Sequence, residues 1–206
     1  MSRELELAME LVKVLQSQEA RKTEPVSEGV MLGTLEPGEV FKIGEHDFIV
    51  LEQTEGTTAV ISRDFMAEEK QFDDETRDYK ESSLKQLIES DIQPVIEAAV
   101  GAENIVEHEV SLMSVDMQNE FGTCTCKVRP ITFDEARKYN DLLVAKDIGD
   151  WWWTCTPWST KERGWDYSML VVSSSGDFIR NIYYFSYGVR PFCILKSNIF
   201  VSRGEM

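Results

Sequence analysis

The sequence predicts an α+β fold, and three observations predict it. Apolar residues between Val40 and Ile61 come in short runs separated by turn chemistry; residues 82–143 carry helix caps and helical spacing; after Gly149 the chain returns to short apolar runs and tight turns. A length of 206 residues and a hydrophobic content of 42% suit one body of ordinary size with one extension. The expected division is residues 1–30 as an amphipathic helix with a linker, and residues 31–206 as a single domain.

Residues 4–18 set Leu5, Ala8, Met9, Val12 and Leu15 at three- and four-residue spacing, with Leu7, Leu11 and Val14 widening the stripe, which predicts a helix. So broad an apolar face is expected either to dock on the body or to pair with its copy in a homodimer through Leu5, Ala8, Val12 and Leu15. Residues 19–30 are polar, hold Pro25 and Gly29, and are read as a linker.

From Val30 the period changes to two. The runs Val40-Phe41-Ile43, Phe48 to Leu51 and Ala59 to Ile61, divided by Gly44-Glu45 and Glu55-Gly56-Thr57, predict a β-meander. Residues 64–81 hold eight acids against Lys70, Arg77 and Lys80, and are expected to be a solvated loop or an interaction surface. Ser82 or Ser83 caps a helix with Leu84, Leu87, Ile88 and Ile92 on one face; Pro94 breaks or restarts it, and Gly101 closes a second short helix. Strands are predicted at Ile105 to Met113 and Cys124 to Val128, and Thr132 with Glu135 forms a capping box for the next helix. The final strands are predicted at Trp151 to Thr154, Tyr167 to Val172, Phe178 to Tyr184 and Val189 to Leu195.

Charge is unevenly spread. Residues 31–110 hold 20 Asp/Glu against 6 Lys/Arg, while residues 111–206 are balanced at 11 of each. A chain of net charge −16 lacks the basic footprint that phosphate binding needs, so direct nucleic-acid binding is not expected. The acidic part is expected to repel nucleic acid, to attract a basic protein groove, or only to keep the chain soluble. No apolar run approaches the roughly 18 residues of a membrane span, and charges at Arg3, Glu4 and Glu6 stand where a secretory signal is apolar, so a cytoplasmic location is expected. Cys124, Cys126, Cys155 and Cys193 are then read as free thiols; Cys124 and Cys126 with His108 are the one combination that resembles a zinc site, and no metal or other cofactor is predicted.

Several stretches together carry a family resemblance: Tyr79-Lys80-Glu81-Ser82-Ser83-Leu84, Val110-Ser111-Leu112-Met113-Ser114, Trp152-Trp153-Thr154-Cys155-Thr156-Pro157 and Gly188-Val189-Arg190-Pro191. Across roughly residues 36–196 they resemble a domain of unknown function common in bacterial and phage proteins, of the C-type-lectin-like group that includes formylglycine-generating enzymes. The resemblance implies a C-type-lectin-like body of twisted antiparallel sheets and a few short helices, preceded here by the N-terminal helix. It also implies binding rather than chemistry. Thr154-Cys155-Thr156-Pro157 stands where the family usually has Leu-Arg-Ser-Pro, so any contact made by that arginine is absent.

All five tryptophans fall in residues 151–165, a cluster that must be core or sticky surface. The segment 157–167 mixes Trp158, Trp165 and Tyr167 with Lys161, Arg163 and Asp166, the composition of an interface hot spot, and these six are the candidate partner-binding residues, unless the rings fold back over the core. Arg190, between Val189 and Pro191, needs a carboxylate or carbonyl partner, with Asp150 or Asp166 as the expected acid. No nucleophile has a base beside it in a known pattern, so the protein is not expected to be an enzyme. The leading expectation is a module that binds a protein or a glycan. The alternative is that the acidic segment 64–109, with Glu68, Glu69, Asp73, Asp74, Glu75 and Asp78 at its centre, imitates nucleic acid and blocks a basic groove, as phage-encoded anti-CRISPR inhibitors of defence nucleases do.

Overall fold

The computed structural model describes residues 29–144 and 148–204, so the helix expected at residues 4–18 lies outside the described residues. The chain opens with β1 (Val30–Met31), β2 (Val40–Ile43), β3 (His46–Thr54), β4 (Thr57–Ser62) and β5 (Ala67–Gln71). A helical run follows: α1 (Ser83–Leu87), a π turn at Ile88–Ile92, and α2 (Gln93–Val100). The hairpin β6 (His108–Ser111) and β7 (Thr123–Cys126) leads through β8 (Val128–Pro130) to α3 (Phe133–Lys138) and α4 (Asn140–Leu143). The rest is β: β9 (Trp152–Pro157), β10 (Ser168–Val172), β11 (Phe178–Ile182), β12 (Ser186–Val189), β13 (Pro191–Lys196) and β14 (Phe200–Arg203).

This architecture corrects the expected fold class. Strand takes 39% and helix 21%, in several sheets, so the protein is mostly β rather than an α+β body of the C-type-lectin-like kind. The helix signals are correct but short. Ser82 accepts the Lys85 N–H as cap, Gly101 closes α2 with a φ of 86° that favours glycine, and Thr132 and Glu135 complete the capping box of α3. What outweighs them is the number of strands: seven in the order β1-β14-β2-β3-β4-β13-β8, five in the order β11-β10-β9-β12-β5, and the β6–β7 pair.

The seven-stranded sheet is covered on both faces, which explains why β3 reads as an unbroken apolar run. Side chains alternate across a strand, so Phe48 and Val50 enter one buried cluster with Leu84, Ile88, Ile92 and Ile96, while Ile49 and Leu51 enter another with Ile131, Ala136, Tyr139 and Leu143. The same alternation divides the tryptophans. Trp153 joins the first cluster and Trp152 the second, both fully buried, while Trp151, Trp158 and Trp165 are half-buried.

Two expectations fail here for one reason, that a local sequence does not say which sheet it joins. The acidic stretch is not simply solvated: Ala67–Gln71 is the edge strand β5, and Phe72, Asp73, Arg77 and Tyr79 are buried. The strand expected from Val189 to Leu195 is two strands, because the chain leaves the five-stranded sheet after Val189 and enters the seven-stranded one at Pro191. Arg190 occupies that crossing, fully buried. Its Nε donates to the Ser62 carbonyl at 3.0 Å, its Nη1 donates to the Leu143 carbonyl at 3.1 Å, and its guanidinium lies 4.6 Å over the Trp152 ring. Those partners are carbonyls and a ring rather than Asp150 or Asp166.

Candidate functional site

The five-stranded sheet ends in an aromatic corner. β10 and β11 pair antiparallel with Ser168 opposite Ile182, and the Tyr183 N–H donates to the Tyr167 carbonyl at 3.0 Å, which extends the ladder one pair further. The chain then turns through Tyr183-Tyr184-Phe185, closed by the Phe185 N–H on the Ile182 carbonyl, and enters β12. This turn brings four rings into sequence: Tyr167 to Tyr183 at 5.9 Å, Tyr183 to Tyr184 at 5.5 Å, and Tyr184 to Phe185 at 5.5 Å between centroids. Tyr167 is 53% exposed, Tyr184 43% and Phe185 45%, so three of the four rings face solvent while Tyr183 anchors them from beneath. Arg180 extends the corner, its guanidinium 4.8 Å over the half-buried Trp165 ring.

Of the six residues expected to bind a partner, the structure therefore brings Trp165 and Tyr167 to this corner. Burial raises the pKa of the Tyr183 phenol, and Tyr167, Asp73 and Asp166 add to this in smaller measure. The other three serve the loop itself. Trp158 is half-buried and its N–H donates to the Ser168 carbonyl; the Lys161 N–H donates to Glu120; Arg163 pairs with Asp116 at 2.6 Å. Asp116 also accepts from the Ser114 and Ser159 hydroxyls, and these bonds, Ser114 first, hold its carboxyl at a pKa of about 2. Beneath the loop the buried Arg77 donates to the Ser159 carbonyl at 2.6 Å and to Glu120 at 2.8 Å. Residues 157–167 are thus clamped from two sides, which gives the aromatic corner a stiff support.

Three of the corner's rings were missed by the sequence reading, although a signal was present. Tyr183, Tyr184 and Phe185 are consecutive, and a strand buries alternate residues, so all three cannot enter one core.

The acidic segment meets the same corner. The Phe72 and Asp73 N–H groups both donate to the Tyr183 carbonyl, and Gln71 donates to the Tyr184 carbonyl. Asp73 itself is buried and structural: its carboxylate accepts from the N–H groups of Glu75, Thr76 and Ser83, which more than offset the upward push of burial and lower its pKa. Asp78 accepts from the Lys80 N–H. Glu68, Glu69, Asp74 and Glu75 remain exposed.

A second feature is a cleft of about 340 Å³ between the β6–β7 hairpin and α3, lined among others by Met113, Met117, Phe133 and Arg137, with the buried Arg129 at its floor. Arg129 is fully engaged, donating bidentately to Glu135 at 2.7 and 2.6 Å and through Nε to His108 Nε2 at 3.0 Å, and it lies 4.3 Å over the Phe192 ring. With His108 Nδ1 against the Val106 carbonyl, both ring nitrogens are occupied, and burial with the nearby Arg129 charge lowers its pKa. Burial pushes the Cys126 thiol up to about 12, and among the described residues no group of three His, Cys, Asp or Glu stands so as to hold a metal. His108, Cys124 and Cys126 do not form such a group among the described residues. Among the described residues no helix is long and apolar enough to cross a membrane.

Residues 109–197 match a family model described as a domain of unknown function (DUF6273). That span holds the aromatic corner and every residue that lines the cleft but not Glu68 to Asp78, and it is shorter than residues 36–196, over which the sequence leads one to expect the resemblance. No curated protein matches the chain, and no solved structure matches it.

Proposed function

We propose that the protein is a non-catalytic binding module and that the aromatic corner at Trp165, Tyr167, Arg180, Tyr184 and Phe185 meets a protein partner. One observation carries this reading: three neighbouring rings stand exposed on a turn that is hydrogen-bonded into a sheet and backed by a clamped loop. Rigid aromatics bury much area at little entropic cost, and an arginine beside them is the usual composition of an energetic centre. Exposed Asp74 and Glu75 next to the corner favour a partner with a basic rim.

Charge mimicry of nucleic acid is the second reading, supported by exposed Glu68, Glu69, Asp74 and Glu75; Asp73 does not contribute, because its oxygens are spent on the backbone. The two readings separate in one experiment. Partner capture from the source cell is compared for the native chain and for Tyr167→Ala/Tyr184→Ala/Phe185→Ala, at low and high salt. Loss of the same partner by the triple variant, with an unchanged melting temperature and capture that survives salt, is the expected result, and about 2 kcal/mol or more of binding is at stake. Undiminished capture by the variant would remove the aromatic corner, and capture abolished by salt would favour the mimic.

A further inference from the structure

Among the described residues β11 is an open edge, and its unpaired backbone groups form a self-complementary set. In the ladder with β10, Tyr167 bonds Tyr183 and Ser173 bonds Asp177, so by alternation Ile179 and Asn181 direct their N–H and C=O inward, and Phe178, Arg180 and Ile182 direct theirs outward. Ile182 is occupied: its N–H donates to Asn181 Oδ1 and its carbonyl accepts from Phe185. Gly176, the next outward position before Phe178, is occupied too: its N–H donates to Ser173 and its carbonyl accepts from Asn140. The open set is therefore Phe178 and Arg180, symmetric about Ile179, which is 44% exposed.

Other edges of the two large sheets carry guards that β11 lacks. β5 presents Glu68, Glu69 and Lys70, β1 has two residues, and β8 is three residues long and ends in Pro130. β11 offers one charge, Arg180, and that side chain is laid over Trp165.

We propose that β11 pairs antiparallel with β11 of a second copy of this chain, about a two-fold axis through Ile179. In this register Phe178 faces the partner's Arg180 and Arg180 faces the partner's Phe178, giving four backbone hydrogen bonds from the four open positions, while Ile179 packs on its own copy in the close, non-hydrogen-bonded pair. A shift to an axis through Arg180 would oppose two like charges and demand the occupied groups of Ile182, and an axis through Phe178 would demand those of Gly176. The joined sheet has ten strands and carries the two aromatic corners at opposite ends of the junction, roughly 27 Å apart for four residues on each side of the axis. The module is then bivalent for whatever the corner binds.

The test uses the full chain. Sedimentation across concentration should show a monomer–dimer equilibrium that strengthens with salt, because each copy carries a net charge of −16. Ile179→Lys, which sets two like charges across the axis, should weaken the dimer roughly ten-fold or more without moving the melting temperature. Ile179→Cys should form a disulfide-linked dimer under mild oxidant, since the four native cysteines are buried and the new pair lies in the close register position. A chain that stays monomeric to about 1 mM overturns the proposal. So does a dimer that ignores Ile179→Lys and gives no cross-link, which would place the contact on another face, and so does capture of a foreign strand by β11 in a chain that remains monomeric. Self-association can fail while the corner still captures its partner, and the reverse, so the two ideas stand or fall separately.

Discussion

Replacing Glu135 with alanine is expected to destabilise the protein by about 3–5 kcal/mol, measured by urea unfolding, because it strands a guanidinium that is 2% exposed. Glu135 holds three things at once. Its carboxylate receives Arg129 through two nitrogens, accepts the Thr132 N–H at 2.9 Å as the return half of the capping box, and accepts the Thr132 hydroxyl at 2.8 Å. Burial pushes the carboxyl up, and the Arg129 bonds and charge with the Thr132 bonds more than offset this, so its pKa lies below the ordinary value. The folded-state pKa is thus lower than the unfolded one. The stabilisation is present above the unfolded value near 4.3 and is lost as pH falls through the folded value. Glu135→Gln, which keeps the shape but not the charge, should therefore be less stable than the native chain by a constant amount above about pH 5 and by a shrinking amount in acid. A difference that does not change with pH would show that the ion pair contributes nothing beyond its hydrogen bonds.

Replacing Trp153 with alanine is expected to cost about 3–5 kcal/mol as well, by a different route. The ring is fully buried between Phe72 at 5.7 Å and Tyr187 at 5.0 Å, both edge-on, and its Nε1 donates to the Lys70 carbonyl at 2.7 Å. Removing it opens a cavity beneath the β9–β12–β5 side of the sheet. Trp153→Phe restores part of the volume but leaves the Lys70 carbonyl without that donor, for a loss of about 1–3 kcal/mol, and faster amide exchange confined to β5 and β12 would distinguish this local release from global destabilisation. Equal exchange throughout the chain would mean that Trp153 stabilises only the core and does not tie the acidic strand to it.

These two residues also show how much was legible beforehand. The capping box at Thr132 and Glu135 follows from spacing alone, because both of its hydrogen bonds lie within four residues. Arg129 as its partner does not, since the ion pair depends on how β8, paired with β13, is set against the start of α3, and nothing in Val128-Arg129-Pro130 announces that placement. Trp153 was expected in the core or on a sticky surface, and the alternation of a strand sends it and Trp152 to opposite buried faces. The charged strand β5 was unreadable, because an edge strand closed by one neighbour needs no apolar pattern of its own.

What the sequence determined by itself is local: the meander of β2, β3 and β4, the caps at Ser82, Thr132 and Gly101, and the presence of aromatic residues in segment 157–167. Each rests on hydrogen bonds or periodicities that span a few residues, so the nearby side chains suffice. Only the tertiary structure decided that the body is mostly β and that the chain changes sheet at Arg190. It also decided that Tyr167 meets Tyr183 and Trp165 meets Arg180, while Arg163 pairs with Asp116. Those outcomes depend on which strands become neighbours, and strand pairing is a choice among distant segments with similar local preferences, made by the burial of the whole sheet.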